Sequence, residues 1–102
     1  MSDPFERQRQ LVAKHPNNEL ARFSLGNALY AAGQIAEARE EFRRALEKKP
    51  DWMAVQILLG RCDLALGDRD AARAAFERAR DLALAQHHEG PLAEMEQLLS
   101  EL

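Results

Sequence analysis

The most reactive side chains in this 102-residue chain belong to one cysteine and three histidines. Cys62 would need a neighbouring base to act as a nucleophile, and the sequence offers no candidate for that role. His87 and His88 are adjacent, so on a helix their side chains point about 100° apart and cannot readily hold one metal ion. His15 is distant from both in the sequence, and no phosphate-binding loop, metal motif or catalytic triad signature is present. We therefore expect that the protein is not an enzyme and that it uses no metal or cofactor.

Composition and charge narrow the choice of partner and compartment. Hydrophobic residues make up 46% of the chain, charged residues 30%, and the formal net charge is −3, which is a soluble globular composition without a basic nucleic-acid footprint. No stretch approaches the roughly 20 apolar residues that span a bilayer, and the charged first residues predict no secretory signal. A single cysteine cannot form an intramolecular disulfide and favours a reducing compartment. We expect a cytoplasmic protein that binds neither nucleic acid nor a membrane.

The sequence repeats itself with a period of 34 residues. Small residues and one phenylalanine recur in a single register, which predicts helical hairpins whose helices approach closely around an aromatic ring. The eight identical pairs are Leu25 and Leu59, Gly26 and Gly60, Gly33 and Gly67, Ala38 and Ala72, Arg39 and Arg73, Phe42 and Phe76, Arg44 and Arg78, and Ala45 and Ala79.

Local signals divide each repeat into two helices. Gly33 and Gly67 are predicted to end the first helix of each repeat, because glycine readily adopts the left-handed conformation found there. Asp51 and Asp68 are predicted N-caps of the helices of the second repeat. The predicted helices span residues 20–32, 35–48, 52–66 and 69–88.

A further helix flanks the repeats on each side. Asp3 and Pro4 are predicted as the N-cap and first residue of a helix that ends before Pro16. Gly90-Pro91 is predicted to separate a last helix with an apolar stripe, which we expect to cap the second repeat. The chain then forms a single domain, 1–102, with a flanking helix at 3–15, repeats at 19–52 and 53–86, and a capping helix at 91–102.

These residues resemble the tetratricopeptide repeat (TPR) family. The resemblance extends from about Glu19 to Leu84 and implies an all-α fold of helical-hairpin repeats, a TPR-like α-solenoid with a right-handed superhelical stack. Its motif residues are Leu25-Gly26, Leu29, Ala38, Phe42, Ala45 and Pro50 in the first repeat, and Leu59-Gly60, Ala72, Phe76 and Ala79 in the second. Arg22 and Gln56 replace the family's first aromatic, and Asp63 its second. These departures make the second repeat look like a terminal one, which often departs from the pattern where it meets solvent or a cap.

Helix geometry separates two faces on the first helix of each repeat. The face centred on Leu25 and Gly26 is predicted to form the core. In the resembled family the opposite face lines a concave groove that receives a segment of a partner, and here large apolar residues without core neighbours occupy it. The predicted partner-binding residues are Leu20, Phe23, Asn27, Tyr30, Ile57, Arg61 and Leu64.

The polar residues of that face suggest how a partner would be held. Asn27 and Arg61 are suited to hydrogen-bond a peptide backbone. Some family members bind a terminal carboxylate through a polar cluster on this face, but Phe23 stands at a lysine position of that cluster, so we expect no carboxylate clamp.

Three interpretations of the apolar face follow. The first is an adaptor or scaffold that binds a peptide or helix of another protein in the groove. The second is a homodimer that pairs two copies through the same face. In the third the chain's own last helix folds back over the face and covers it.

Overall fold

Six α-helices follow one another in the computed structural model, which describes residues 3–102. No strand occurs within those residues, and the prediction of an all-α fold with two helical hairpins between flanking helices is confirmed. The helices are α1 (Glu6–Lys14), α2 (Glu19–Ala31), α3 (Ile35–Lys48), α4 (Met53–Ala65), α5 (Arg69–Ala85) and α6 (Glu89–Ser100).

Contacts divide the chain into two compact units, one that ends at Pro50 and one that begins at Asp51. In the first unit α1 packs on α2, and α2 packs on α3. In the second unit α4 packs on α5, and α5 packs on α6. Each unit therefore contains one helical hairpin and one flanking helix.

A phenylalanine ring packed on a glycine lies at the centre of each hairpin. Phe42 and Phe76 are both fully buried, as predicted. A Cβ atom built on Gly26 would lie 2.7 Å from Cε1 of Phe42, and one built on Gly60 would lie 2.6 Å from Cδ1 of Phe76. The repeated glycine is therefore required for space, because any side chain would overlap the ring of the neighbouring helix.

The turn after the first helix of each hairpin depends on a left-handed glycine. Gly33 and Gly67 have φ angles of 83° and 82°, which confirms their predicted role. The amide of Gln34 donates to the carbonyl of Leu29 at 2.9 Å, which closes the end of α2. The turn after α5 uses the same conformation at His87, with φ at 59°, and His87 is the only non-glycine residue with positive φ among residues 3–102.

The predicted N-caps of the second repeat have different outcomes. The Asp68 side chain accepts a hydrogen bond from the amide of Ala71 at 3.1 Å, so this prediction is confirmed. The prediction for Asp51 is wrong, because α4 begins one residue later and Trp52 is its N-cap. Asp51 lies in the preceding turn, where its carbonyl accepts a hydrogen bond from Nε2 of Gln86 at 3.3 Å.

The first helix also begins later than predicted. Asp3 Oδ1 accepts from the amide of Phe5 at 3.0 Å, which forms a turn ahead of α1, and the helix begins at Glu6. Pro4 therefore precedes the helix instead of opening it. The hydrogen bond from Phe5 and the Arg9 guanidinium hold the pKa of Asp3 below its ordinary value.

The boundary between the last two helices differs from the prediction as well. α5 ends at Ala85 and α6 begins at Glu89, so Gly90 and Pro91 lie in the first turn of α6 and do not separate the helices. Proline fits there because amide groups in the first turn have no partner within the helix. The break is made by the turn at 86–88.

The polar residues that replace the family's aromatic residues in the second repeat are buried. Gln56 and Asp63 are only 5% and 2% exposed. They therefore do not mark a solvent-facing terminal surface, and they occupy the packed positions where the family carries aromatic rings.

Candidate protein-binding faces

The α2 face consists of Leu20, Phe23, Asn27 and Tyr30, the predicted binding residues of the first unit. Leu20 is 63% exposed, the side chain of Asn27 is exposed, and the two aromatic rings are half-buried. α2 begins at the N-cap Asn18, whose side chain accepts from the amide of Leu20 at 2.9 Å. The cap fixes the first turn and thereby the position from which Leu20 projects.

Phe42 supports both aromatic residues of the α2 face. The Phe23 and Phe42 ring centroids are 6.3 Å apart with an interplanar angle of 40°, and those of Tyr30 and Phe42 are 6.5 Å apart with an angle of 55°. The prediction that these rings lack core neighbours is therefore wrong. A helix packs side chains from adjacent turns around a neighbouring ring, so residues that lie off the central stripe still reach it. The rings are held by the core and offer their remaining surface to a partner.

An ion pair that the sequence analysis did not identify holds α2 against α3. Arg22 Nη1 donates to both carboxylate oxygens of Glu41, at 3.0 and 3.2 Å, and Arg22 Nε donates to the carbonyl of Pro16 at 3.2 Å. The Arg22 and Glu41 side chains are only 15% and 14% exposed. Arg22 stands at the family's first aromatic position, so a largely buried ion pair occupies the place of an aromatic contact. The only sequence signal was the unexpected arginine at a packing position.

The α4 face consists of Ile57, Arg61 and Leu64, the predicted binding residues of the second unit. Leu64 is 38% exposed. Ile57 packs against the apolar cluster that contains Met95 of α6, and Arg61 forms an ion pair with Glu94 of the same helix. Arg61 thus contacts the last helix directly, and Ile57 borders the apolar cluster to which that helix contributes Met95.

The histidines and the cysteine do not belong to these faces, although His15 lines a depression together with Leu20 of the α2 face. Cys62 is fully buried. His87 and His88 are exposed and line a shallow depression of about 210 Å³ beside α6, and His15 borders one of about 460 Å³ at the turn between α1 and α2. In the part of the chain that the structure describes, no three potential ligands are grouped to hold a metal ion. None of the helices there is long and apolar enough to cross a membrane.

The geometry defines a class of protein. Each unit contains a helical hairpin with a phenylalanine packed against a glycine and a left-handed glycine in the turn between the two helices, and this makes the chain a helical-hairpin repeat protein. Two tetratricopeptide repeat models match it, at residues 8–51 and 37–89. The chain belongs to the tetratricopeptide repeat family.

Comparison with known proteins agrees with this assignment. A TPR repeat-containing protein of Pseudomonas aeruginosa is 38% identical over 87 residues, which cover 85% of this chain and 81% of that protein. A protein from Bordetella parapertussis, known from a solution structure, is 28% identical with a TM-score of 0.79, covering 99% of this chain and 88% of its own. PcrH, in complex with the chaperone-binding region of PopD, has a TM-score of 0.86 at 23% identity, and the match covers 95% of this chain and 74% of the PcrH chain.

Proposed function

We propose that this protein is an adaptor or scaffold that binds a peptide or helical segment of another protein, and that it is not an enzyme. TPR proteins are protein-interaction modules, and PcrH, a structural neighbour, holds a segment of PopD. The observation that carries the proposal is the α2 face, where Leu20 is 63% exposed beside two rings that the core supports.

The α2 face combines the features of a binding surface. The rings of Phe23 and Tyr30 already pack against Phe42, so a partner would have less side-chain freedom to restrict, and this lowers the entropic cost of binding. Leu20 adds exposed apolar area, and rigid aromatic and aliphatic anchors of this kind dominate interface energies. Asn27 supplies both a donor and an acceptor for the backbone of a bound segment. In the second unit we propose the same role for Ile57, Arg61 and Leu64.

The test should change exposed residues, because truncating Phe23 or Tyr30 would also remove core contacts of Phe42. Leu20→Glu combined with Asn27→Ala removes the apolar anchor and the polar group at two exposed positions. We expect wild type to capture partners from the native cell lysate and the double variant to lose them, with an affinity loss on the order of tenfold or more for an isolated partner segment.

Leu84→Glu is the matched control. Leu84 is also 63% exposed but lies on α5, outside both faces, so its substitution should leave capture unchanged. A Leu20→Glu, Asn27→Ala protein that binds the same segments as tightly as wild type would place the binding site elsewhere. Light scattering addresses the alternative of a homodimer: a mass of twice 11.5 kDa that returns to 11.5 kDa in the Leu20→Glu variant would replace the adaptor proposal by self-association.

A further inference from the structure

The last helix packs on α5 and reaches the edge of the α4 face, and its contacts follow a defined chemical pattern. Met95 of α6 is fully buried in a cluster with Ala72, Phe76 and Ala79 of α5. Ile57 of α4 and three leucines of the C-terminal segment pack around this cluster; the leucines are Leu98, Leu99 and Leu102. At the edge of the same contact, the carboxylate of Glu94 pairs with the guanidinium of Arg61. The surface therefore accepts a helix that carries an acidic residue directly before its apolar stripe.

α6 has few local features that would keep it helical away from the second unit. Its N-cap, His88, forms no side-chain capping hydrogen bond, and the turn before it places the non-glycine His87 at a φ of 59°. The three leucines of the stripe are only half-buried. α6 has 12 residues, and helices of this length are marginal on their own, so its helical state depends on the contact with the second unit.

We propose that the surface covered by α6, formed by Ile57, Arg61 and the α5 residues of the Met95 cluster, is a binding site for an amphipathic helix of a partner protein. The partner helix carries an acidic residue that is followed directly by the first Met or Leu of an apolar stripe. When it binds, it displaces α6, which occupies this surface in the free protein. This inference deepens the proposed function and rests on it, since it specifies the kind of segment that the second unit takes. The second unit is then closed by its own helix until a competing helix arrives.

A second copy of the chain is a less favourable source of the competing helix. Exchange of α6 between copies would require the turn at 86–88 to open into a continuous α5–α6 helix. Pro91 opposes this, because its ring would clash with the carbonyl of His87 in such a helix. Each copy also carries its own α6, so exchange would add no new contact.

The test adds the α6 sequence in trans to the full-length chain. A labelled, acetylated peptide of residues 89–102 is titrated with wild type and with Arg61→Glu, and the same is done with a peptide that carries Glu94→Lys. Arg61 is 42% exposed, so its substitution leaves the apolar cluster in place. We expect wild type to bind the peptide with Glu94 about threefold to tenfold more tightly than the Glu94→Lys peptide, because Arg61 attracts the carboxylate. The Arg61→Glu protein should show the opposite preference.

Displacement of the resident helix is measured at the same time. Hydrogen exchange at the amides of the protein's own α6 should accelerate at saturating peptide, because the helix loses its partner surface. Arg78→Glu makes the same charge change at an exposed position of α5 and should rank the two peptides as wild type does. Absence of binding in all pairs, equal affinity for both peptides, or binding without faster exchange in α6 would each overturn the proposal.

Two other outcomes separate this inference from neighbouring ideas. A wild-type chain that self-associates and becomes monomeric when the peptide is added would show that the occupant is the α6 of a second copy, which overturns the partner version. The peptide assay does not involve the α2 face. If the α6 peptide does not bind but the Leu20→Glu, Asn27→Ala variant still loses its partners, this inference is wrong and the proposed function is retained.

Discussion

Gly26 and Gly60 contribute to this fold through the space that their missing side chains leave for a phenylalanine ring. The Phe42 and Phe76 rings occupy positions where a β-carbon of the facing helix would otherwise lie, so a glycine in each hairpin permits complete burial of a large side chain. Full burial of such a ring contributes roughly 2–3 kcal/mol relative to exposure. A helical glycine costs up to about 1 kcal/mol relative to alanine, so ring burial outweighs the loss of helix propensity.

Gly26→Ala should therefore destabilise the protein although alanine is the better helix former. Its added methyl group would lie 2.7 Å from Cε1 of Phe42, and we expect a loss of about 1–3 kcal/mol in the free energy of unfolding, measured by urea denaturation. Gly90→Ala is the control, because nothing lies within 4 Å of its added Cβ and the change should be neutral or stabilising. Equal stability of Gly26→Ala and wild type would mean that the ring and the glycine are not in close contact.

His87 offers a stabilising substitution. It occupies the place that glycine holds after α2 and α4, with φ at 59°, and its neighbour His88 donates its amide to the carbonyl of Ala83 at 2.9 Å. Left-handed φ costs a non-glycine residue about 1–2 kcal/mol, whereas glycine has more freedom to lose on folding. His87→Gly should raise the free energy of unfolding by about 0.5–1 kcal/mol.

The adjacent histidine provides the comparison for that experiment. His88 has an ordinary φ of −100°, so His88→Gly relieves no strain and should not stabilise the chain. A His87→Gly protein that melts at or below the wild-type temperature would contradict the left-handed geometry of this turn.

At the scale of helices, a largely buried ion pair holds α2 against α3 at a position where the family carries an aromatic residue. Arg22 of α2 binds both oxygens of Glu41 of α3, and both side chains are mostly removed from water. α1 is joined to α3 by a second, exposed pair between Arg9 and Glu37, whose N–O distance is 3.0 Å. Charge pairing thus supplements the phenylalanine core in holding the helices of the first unit together.

A double-mutant cycle measures the contribution of the buried pair. Arg22→Ala, Glu41→Ala and the double variant should show a coupling free energy of about 1–2 kcal/mol, above the range of exposed pairs, because solvent screens this pair weakly. Arg44 and Glu40 on α3 form the exposed control, with an N–O distance of 3.6 Å and side chains 49% and 54% exposed. Their coupling should stay below about 0.5 kcal/mol. Similar couplings for both pairs would indicate that Arg22–Glu41 is solvated.

At the scale of the whole molecule, each hairpin relies on a third helix to cover apolar surface. In the second unit α6 supplies Met95 to the cluster around Phe76, and Arg73 Nη2 donates to the carbonyl of Leu102 at 2.9 Å. Without α6, this part of the α5 surface would face water.

A chain that ends at His88 should therefore be less stable and more prone to aggregate. We expect a loss of about 2–5 kcal/mol in the free energy of unfolding, since removing a fully buried methionine side chain alone costs that much, together with increased binding of a hydrophobic dye. Deleting only Glu101 and Leu102 should have a smaller effect, because Leu102 is half-buried. An unchanged unfolding midpoint for the chain ending at His88 would show that α6 contributes no cover.

Sequence by itself determined the repeat and its local geometry. The 34-residue period, the paired glycines and the recurring phenylalanines each act through near neighbours or through a register that can be counted along the chain. The hairpins, the left-handed turns at Gly33 and Gly67 and the Asp68 cap followed from them. Where local signals competed, as at Asp51 and Gly90-Pro91, the helix boundaries differed by a few residues, since capping and proline are each compatible with more than one helix start.

Only the tertiary structure decided which side chains of the predicted binding residues contact the rest of the protein. Phe23 and Tyr30 rest on Phe42 of the next helix, and Arg61 meets Glu94, which lies 33 residues further along the chain. Helical periodicity assigns a residue to a face of its own helix but carries no information about which distant helix covers that face. Such pairings depend on packing between helices, and packing is set by the fit of many side chains at once.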